Sequence, residues 1–479
     1  MLRNTETLHP GRQSGLPASV VYTNATLLGL DAFARSMSQG IYAARNVTFE
    51  PILLGALPQG CRLLGGDSFW VETDDSLAAD QINPLTADIP AIRDQLAALP
   101  FDEERIGSPC LLVARYGEIT WGHWVGEILP RAILAEEAWP GRFRYVVSEA
   151  ITRPGENRDY ATAILETLAA YGIHEDRLLR LRPDRHYRFD HLHAITGIWS
   201  PHGMNPDAMR VMRESLKAPE QRGSAGRLAI LRRDAATRGI FNQSEIESLL
   251  TARGFIIVDP VRLPFIDQIA LFRDAEMIFG VLGSGLIGLI YAPEAMRVVT
   301  AAPGDWADPY FHMLIKARNG WQADLRGSTL WTGSGLPRDA PFLLDPNHTE
   351  TALDLLEKPE AELAPDGIIA LDDIYLSRHP GRTVLSVDFA AGGNAQSHIR
   401  DGWSVQEDNH VWSIGPHSTM HLSAPHGAGR YVLELDVLAL TMPEFVVARP
   451  LTIIINGTPA GAFSIAGFAH ITCLLPPTG

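Results

Sequence analysis

Twice along the chain, short apolar runs alternate with amphipathic stretches of helical period, and this alternation limits the fold more than any other feature. From about residue 108, "PCLLVARYG" reads as a strand, "WVGEILPRAILAEEAW" as a helix and "FRYVVSEA" as a strand. "DYATAILETLAAYG" follows as an amphipathic helix closed by Gly172, and "DHLHAITGIWS" as a further strand. A second run begins near residue 227. "RLAILRR" is a strand, "NQSEIESLLTARG" a helix with Asn242 or Ser244 as N-cap and Gly254 at its end, and "FIIVDP" a strand. "PFIDQIALFRDA" is a helix with Pro264 near its start, "EMIFGVL" a strand, "LIGLIYAPEA" a helix after a glycine loop, and "RVVTAAP" a strand. Alternation of this kind builds an α/β layer around a parallel sheet. Two such halves predict a two-lobed α/β enzyme with a cleft between the lobes.

The texture differs at both ends. Residues 1–105 hold short apolar runs broken by Gly, Pro and Asp, and are placed with the first lobe. From about residue 366, short alternating runs such as "TVLSVDF", "RYVLELDVLAL" and "LTIIIN" are separated by turn residues, including the hairpin signal Asn456-Gly457. They predict a small C-terminal all-β sandwich. The expected organisation is a mixed segment 1–105, a first lobe 106–222, a second lobe 223–350, a linker 351–368 and a sandwich 369–479.

Composition narrows the function classes. The formal net charge of −16 argues against nucleic acid, whose phosphates need a basic face, but leaves room for a local anion site. Three widely spaced cysteines (Cys61, Cys110, Cys473) form no CxxC pair, which argues against a disulfide framework and a structural zinc site. The first residues, "MLRNTETLHPGRQSG", carry no apolar core of a signal peptide. The longest apolar run, within "MIFGVLGSGLIGLIYAPEAMRVV", is shorter than the roughly 20 residues a spanning helix needs and is closed by Pro293. A cytoplasmic chain without a transmembrane segment is expected, at the inner face of the membrane if it meets one.

That run also matches GxGxxG at Gly283, Gly285 and Gly288. A dinucleotide fingerprint follows the first strand of its domain, with an acidic residue about 20 positions on. Here the loop follows a third strand, and only Asp305 stands near that place, so an NAD-dependent enzyme is the weaker alternative. A tight buried turn is the bland reading; glycines that let the backbone approach an anion are the other. "LRRDAATRGIFNQ" weighs for the anion. It sets Arg232, Arg233 and Arg238 at and after a strand end of the same lobe, where open α/β sheets bind ligands. Singly, each arginine is an ordinary surface charge; together they suit a diphosphate.

In order and spacing, "RRDAATRGIFN", "GFIIVDPVRLPFIDQIALFRDAEMIFG" and "GSGLIGLIYAP" resemble the core of glycosyltransferase family 61. "WGHWVGEILPR" resembles that family's N-terminal signature, and the resemblance spans roughly residues 108–325. It implies a GT-B-like pair of Rossmann-like lobes, a nucleotide-sugar donor in the second lobe, and a glycan acceptor (oligosaccharide, polysaccharide or lipid-linked). It further implies inversion at the anomeric carbon, no metal or other cofactor, and work in surface polysaccharide synthesis. Arg233 and Arg238 fall on the family's arginines before Asn242 and would hold the diphosphate, with Arg232 beside them. Gly283, Ser284 and Gly285 fall on its glycine-rich loop; His123 and Glu127 fall on its signature and would face the acceptor. Many members carry a His where this chain has Leu282, which keeps a non-catalytic sugar-nucleotide or glycan-binding protein as the alternative.

An inverting transfer needs a base for the acceptor hydroxyl and cations for the departing diphosphate. Glu127 is the leading candidate base, its pKa expected to be raised by an aromatic pocket of Trp121 and Trp124. His123, one helical turn earlier, is the alternative base or the orienting partner, and Arg131 is an i, i+4 partner for Glu127 or an acceptor contact. The pairs "ETDDS" and "LDDIY" and the histidines of "DHLHA" lack convincing metal spacing. In the sandwich, Trp403, His410 and Trp412 could stack on sugar, although structural aromatics are the commoner case.

Overall fold

The computed structural model describes residues 3–15, 20–23, 46–57, 59, 61–64, 70–72, 77–78, 103–115, 118–152, 158–182, 185–200, 203–216, 226–232, 237–303, 310–329, 339–359, 367–370, 387–422, 432–439, 449–465 and 468–474. The chain divides into two units, Met1–Leu371 and Asp372–Gly479.

The first unit carries two main sheets. In the first, β1 (Arg3–His9) and β2 (Ile52–Ala56) lie antiparallel at one edge. Then come β3 (Cys110–Leu112), β4 (Arg144–Ser148), β5 (Leu178–Leu181) and β6 (Leu192–Thr196), in the spatial order β1-β2-β6-β3-β4-β5. The β6-β3-β4-β5 part is parallel, as the apolar runs between helices predict. Helix α1 connects β3 to β4, and α2 (Arg158–Ala170) connects β4 to β5. α1 has three parts: an α-helical turn Trp121–His123, a π-helical turn Trp124–Ile128 and an α-helix Leu129–Ala138.

The second sheet contains β7 (Arg227–Ile230), β8 (Ile256–Val258), β9 (Met277–Val281), β10 (Arg297–Pro303) and β11 (Trp321–Thr329), in the order β8-β7-β9-β10-β11, all parallel. Helices α3 (Gln243–Ala252), α4 (Phe265–Asp274) and α5 (Tyr310–Ala317) cross between its strands. A short β12 (Phe342–Leu343) pairs antiparallel with the end of β11. Every residue of β9 is buried, the signature of a central parallel strand covered on both faces.

Three expectations need correction. The N-terminal segment does not belong to one lobe: β1 and β2 join the first sheet, while Val20–Thr23 pairs in parallel with β11 of the second. The stretch 351–368 is not a linker, since Pro346–Leu356 is a helix with seven buried residues and Gly367–Ala370 extends the second sheet beside Val20–Thr23. The predicted α-helix over "LIGLIYAPEA" is a 3-10 helix of seven residues, Ser284–Ile290. Gly288 lies so near the Phe272 ring that a Cβ there would sit 2.2 Å from Cδ2, and Pro293 stops any continuation.

One apolar core runs through both sheets. It holds Val113, Ile128, Ile133 and Tyr145 from the first and Ile230, Leu282, Leu286 and Tyr291 from the second. Across it the Tyr171 and Tyr291 hydroxyls meet at 2.8 Å, and Tyr171 donates to the Met212 carbonyl at 3.0 Å. Among the described residues no helix is long and apolar enough to cross a membrane.

In the second unit, Arg449–Ile455 and Thr458–Ile465 form a hairpin about Asn456-Gly457, both residues at positive φ (50° and 82°) as such a turn demands. Val432–Leu438 pairs antiparallel with Phe468–Leu474, and Ile453, Ile465 and Ile471 form a small core. Closure of these ladders into a sandwich is not visible among the described residues.

Because the 3-10 helix is seated on Phe272, Gly288→Ala is expected to cost about 1–3 kcal/mol through overpacking, read as a lowered urea midpoint. An unchanged midpoint would show that the Phe272 ring can step aside freely.

Candidate active site

Helix α1 is shaped by one missing donor. Pro130 has no N–H for the carbonyl of Gly126 four residues back, and the helix widens into the π-turn before it. The freed Gly126 carbonyl accepts the Trp199 indole N–H at 2.7 Å. Within this turn Trp124 is fully buried and its Nε1 donates to Thr167 Oγ1 at 2.8 Å, so it serves the core and not an acceptor pocket. Trp121, half-buried, lies edge-on to Tyr160 and Phe265 with centroids 6.5 and 6.1 Å away.

The turn presents Glu127 between cations. Arg115, just beyond β3, donates to Oε2 through Nη1, and His123 Nδ1 lies 2.6 Å from Oε1. Burial, the largest influence, pushes the Glu127 pKa up. The His123 hydrogen bond and the charges of Arg115, His123 and Arg131 outweigh it and hold the carboxyl below its ordinary range. An aromatic pocket was expected to raise the value; the Trp124 indole faces Thr167 instead, and the His123 hydrogen bond and the charges of Arg115 and Arg131 act on the carboxyl where the apolar wall was expected. An ionised carboxylate can only accept, so the His123 Nδ1 is the donor in this bond. The His123 side chain is 47% exposed against 10% for Glu127, which makes the histidine the solvent-facing member of the pair. Nearby, burial lifts the Glu118 carboxyl to about 8 against the pull of a hydrogen bond from Ser148, so it is uncharged at neutral pH.

The second sheet supplies a cationic notch. Arg232 lies two residues past β7, and Arg238 has φ +58°, a left-handed backbone unusual for a non-glycine residue. Gly283, two residues past β9, has φ +151°, and a Cβ on it would lie 2.4 Å from Arg232 Nη1 and 3.7 Å from Arg238 Nη2. Glycine is therefore required here by conformation. Burial, followed by the Arg238 charge, lowers the Arg232 pKa to about 10, with Asp339 opposing. Arg232 Nη2 donates to Thr237 Oγ1 at 3.1 Å, whereas its Nε is buried without a partner. Two guanidiniums gathered over a bare backbone suit an anion with several oxygens.

Other sequence candidates fall differently. Arg233 lies outside the described residues, as do Asp305, "LDDIY" and most of "ETDDS". Asn242 bonds Leu344 through both ends of its amide, at 2.8 and 3.1 Å, and so ties the arginine loop to the segment just after β12. Gly285 packs on Ile230 and Pro260, and Ser284 starts a helix too short to concentrate much dipole. Leu282 is buried in the common core, its amide bonded to the Ala301 carbonyl at 2.8 Å. Trp403 donates to the Thr419 carbonyl at 2.8 Å, and Trp412 stands edge-on to His410 at 4.7 Å. Arg115 had no motif to mark it; its position past the end of a parallel strand was the signal available.

The two halves of the site meet at one seam. A Cβ on Gly122 would lie 3.3 Å from Ser284 Oγ, so His123 adjoins the glycine loop. Arg115, α1, Arg232 and Gly283 all follow the carboxyl ends of parallel strands, the edge where α/β sheets bind ligands. Among the described residues no three His, Cys, Asp or Glu side chains converge as metal ligands do.

Residues 121–299 match the family model described as Glycosyltransferase 61. No curated protein matches the chain. Among solved structures, it is similar to the bacterial iron-containing dodecameric glycosyltransferase TibC from enterotoxigenic E. coli, at 12% identity over 55% of this chain and 79% of that one, with a TM-score of 0.23.

The depressed Glu127 pKa has a consequence for stability. A lowered folded-state pKa contributes stability that is present above the ordinary value of 4.5 and is lost as pH falls through the folded value. Urea midpoints of the parent and Glu127→Gln proteins are expected to differ most at pH 6–7 and to converge below pH 4. A constant difference across that window would mean that Glu127 is not held ionised.

Proposed function

We propose that this chain, whose residues 121–299 match the Glycosyltransferase 61 family model, moves a sugar at this seam from a nucleotide-sugar donor to a glycan hydroxyl, with inversion and without a metal. The observation that carries the reading is the meeting of a Glu127-oriented His123 with the Arg232–Arg238 notch across the Gly122–Ser284 contact.

In this mechanism the roles of the signature pair are exchanged relative to the sequence argument. His123 Nε2 takes the proton of the acceptor hydroxyl, while Glu127, held ionised by Arg115, fixes the ring through Nδ1–H. The acceptor oxygen forms its bond to the anomeric carbon from the face opposite the leaving group. The carbon–oxygen bond to the diphosphate breaks, and the diphosphate leaves with the electron pair. Arg232 and Arg238 hold the charge that develops there, a task that the short helix at Ser284 can share only weakly. The imidazolium returns its proton to water.

In this reading the two parallel sheets act as the facing lobes of a GT-B-like enzyme, with the second sheet on the donor side. The acceptor is an oligosaccharide, a polysaccharide or a lipid-linked glycan in surface polysaccharide synthesis, and the second unit is a β-sandwich accessory domain. The burial of Leu282 supports a catalytic over a degenerate reading, because that side chain belongs to the core and leaves the arginine notch intact.

A binding screen against UDP-, GDP-, dTDP- and CMP-sugars and NAD(H), with EDTA present, is expected to return one nucleotide-sugar class. With that donor, His123→Gln should lower kcat roughly 10²-fold or more at nearly unchanged donor affinity. Arg232→Ala should weaken donor binding by about tenfold, the usual scale of a charge-assisted hydrogen bond. Binding of NAD(H) alone, or full turnover by His123→Gln, would overturn the proposal.

A further inference from the structure

The signature turn is held by a device outside the family's signature. The Trp199 indole donates to the Gly126 carbonyl at 2.7 Å, and its ring lies stacked on Tyr310, centroids 4.6 Å apart at 20°. The Tyr310 hydroxyl in turn rests against the other side of Gly126, where a Cβ would lie only 2.2 Å from it. Trp199 follows β6 of the first sheet, whereas Tyr310 opens α5 beside the second. One aromatic pair, drawn from both sheets, thus grips a single peptide unit of the π-turn. The residue after that glycine is Glu127, and three before it is His123.

We infer that Trp199 and Tyr310 are positioning residues: their stack, closed on Gly126, sets the register of the π-turn and thereby the orientation of the His123–Glu127 pair. The physical need follows from Pro130. Without its N–H the Gly126 carbonyl has no partner four residues on, and a π-turn of five residues competes with a plain α-turn that would rotate the following side chains by a sizeable fraction of a turn. The indole supplies the missing donor, and the tyrosine hydroxyl blocks the space into which Gly126 would relax. This inference rests on the proposed role of His123 as the base, but it concerns the geometry of the resting protein.

The test reads the histidine ring directly. Full-length protein labelled with 15N-histidine, the His123 signals identified by their loss in His123→Gln, is expected to show one tautomer with the proton on Nδ1. Trp199→Phe keeps a ring against Tyr310 and deletes the donor; the two His123 nitrogens should then shift toward the averaged position of a tautomer mixture. Retention of the single tautomer in a folded Trp199→Phe protein would overturn the inference. Should that variant fail to fold, Gly126→Ala and the double variant Gly126→Ala/Tyr310→Phe decide. The first should mix the tautomers by pushing Tyr310 aside, and the second, which removes the obstructing oxygen, should recover the single one. Failure to recover would overturn the inference. No nucleotide sugar is present, so this result and that of the donor screen can fail independently.

Discussion

Two backbones come together at Gly122 and Gly126 on one side and at Ser284–Ile287 on the other, and the whole site depends on how near they come. A side chain at Gly126 would meet Tyr310 Oη at 2.2 Å and Ile287 Cδ1 at 3.0 Å. The closeness brings a histidine–carboxylate pair from one sheet beside an arginine notch from the other. It also closes the core: apolar residues of both sheets form one cluster, with Trp124, Ile287 and Tyr291 fully or almost fully buried in it. At this seam the two sheets share one apolar core, and the candidate side chains sit in packed surroundings.

Charge follows the same logic. The chain carries a formal −16, yet Arg115, His123 and Arg131 act on the buried Glu127 carboxylate, while Arg232 and Arg238 gather beside Gly283. On the first sheet that carboxylate compensates the cations and is kept ionised by them. On the second, Arg232 loses hydration and feels the Arg238 charge, with Asp339 offsetting only part, as its lowered pKa records. The Arg238 backbone at φ +58° adds strain at the same place.

Much of the architecture was legible because it is periodic. Most strands and helices between residues 108 and 303 follow the alternation read from the sequence, though Leu178–Leu181, His186–Phe189 and the helix Pro206–Ser215 lay outside it, and Gly283 stands where the backbone conformation requires glycine. The N-terminal segment was not legible, because Val20–Thr23 is as apolar as any edge strand and nothing in it names the sheet it will join. Asn242 was read as a ligand contact, whereas its amide is used up on Leu344, a partner about a hundred positions away in the chain.

By itself the sequence determined the layer type and most of the alternating elements, because these depend on local period and residue chemistry. Tertiary structure decided the surroundings of the candidate side chains. The Glu127 carboxyl is held below its ordinary range by the His123 hydrogen bond and the charge of Arg115 reaching it from beyond β3, and Trp124 is a core residue whose indole proton Thr167 accepts. His123 is the more exposed member of its pair, and the Gly126 carbonyl, which Pro130 leaves without an N–H four residues on, accepts from the Trp199 indole. Each of these outcomes turns on a long-range contact whose partner is set by packing, and no spacing along the chain encodes it.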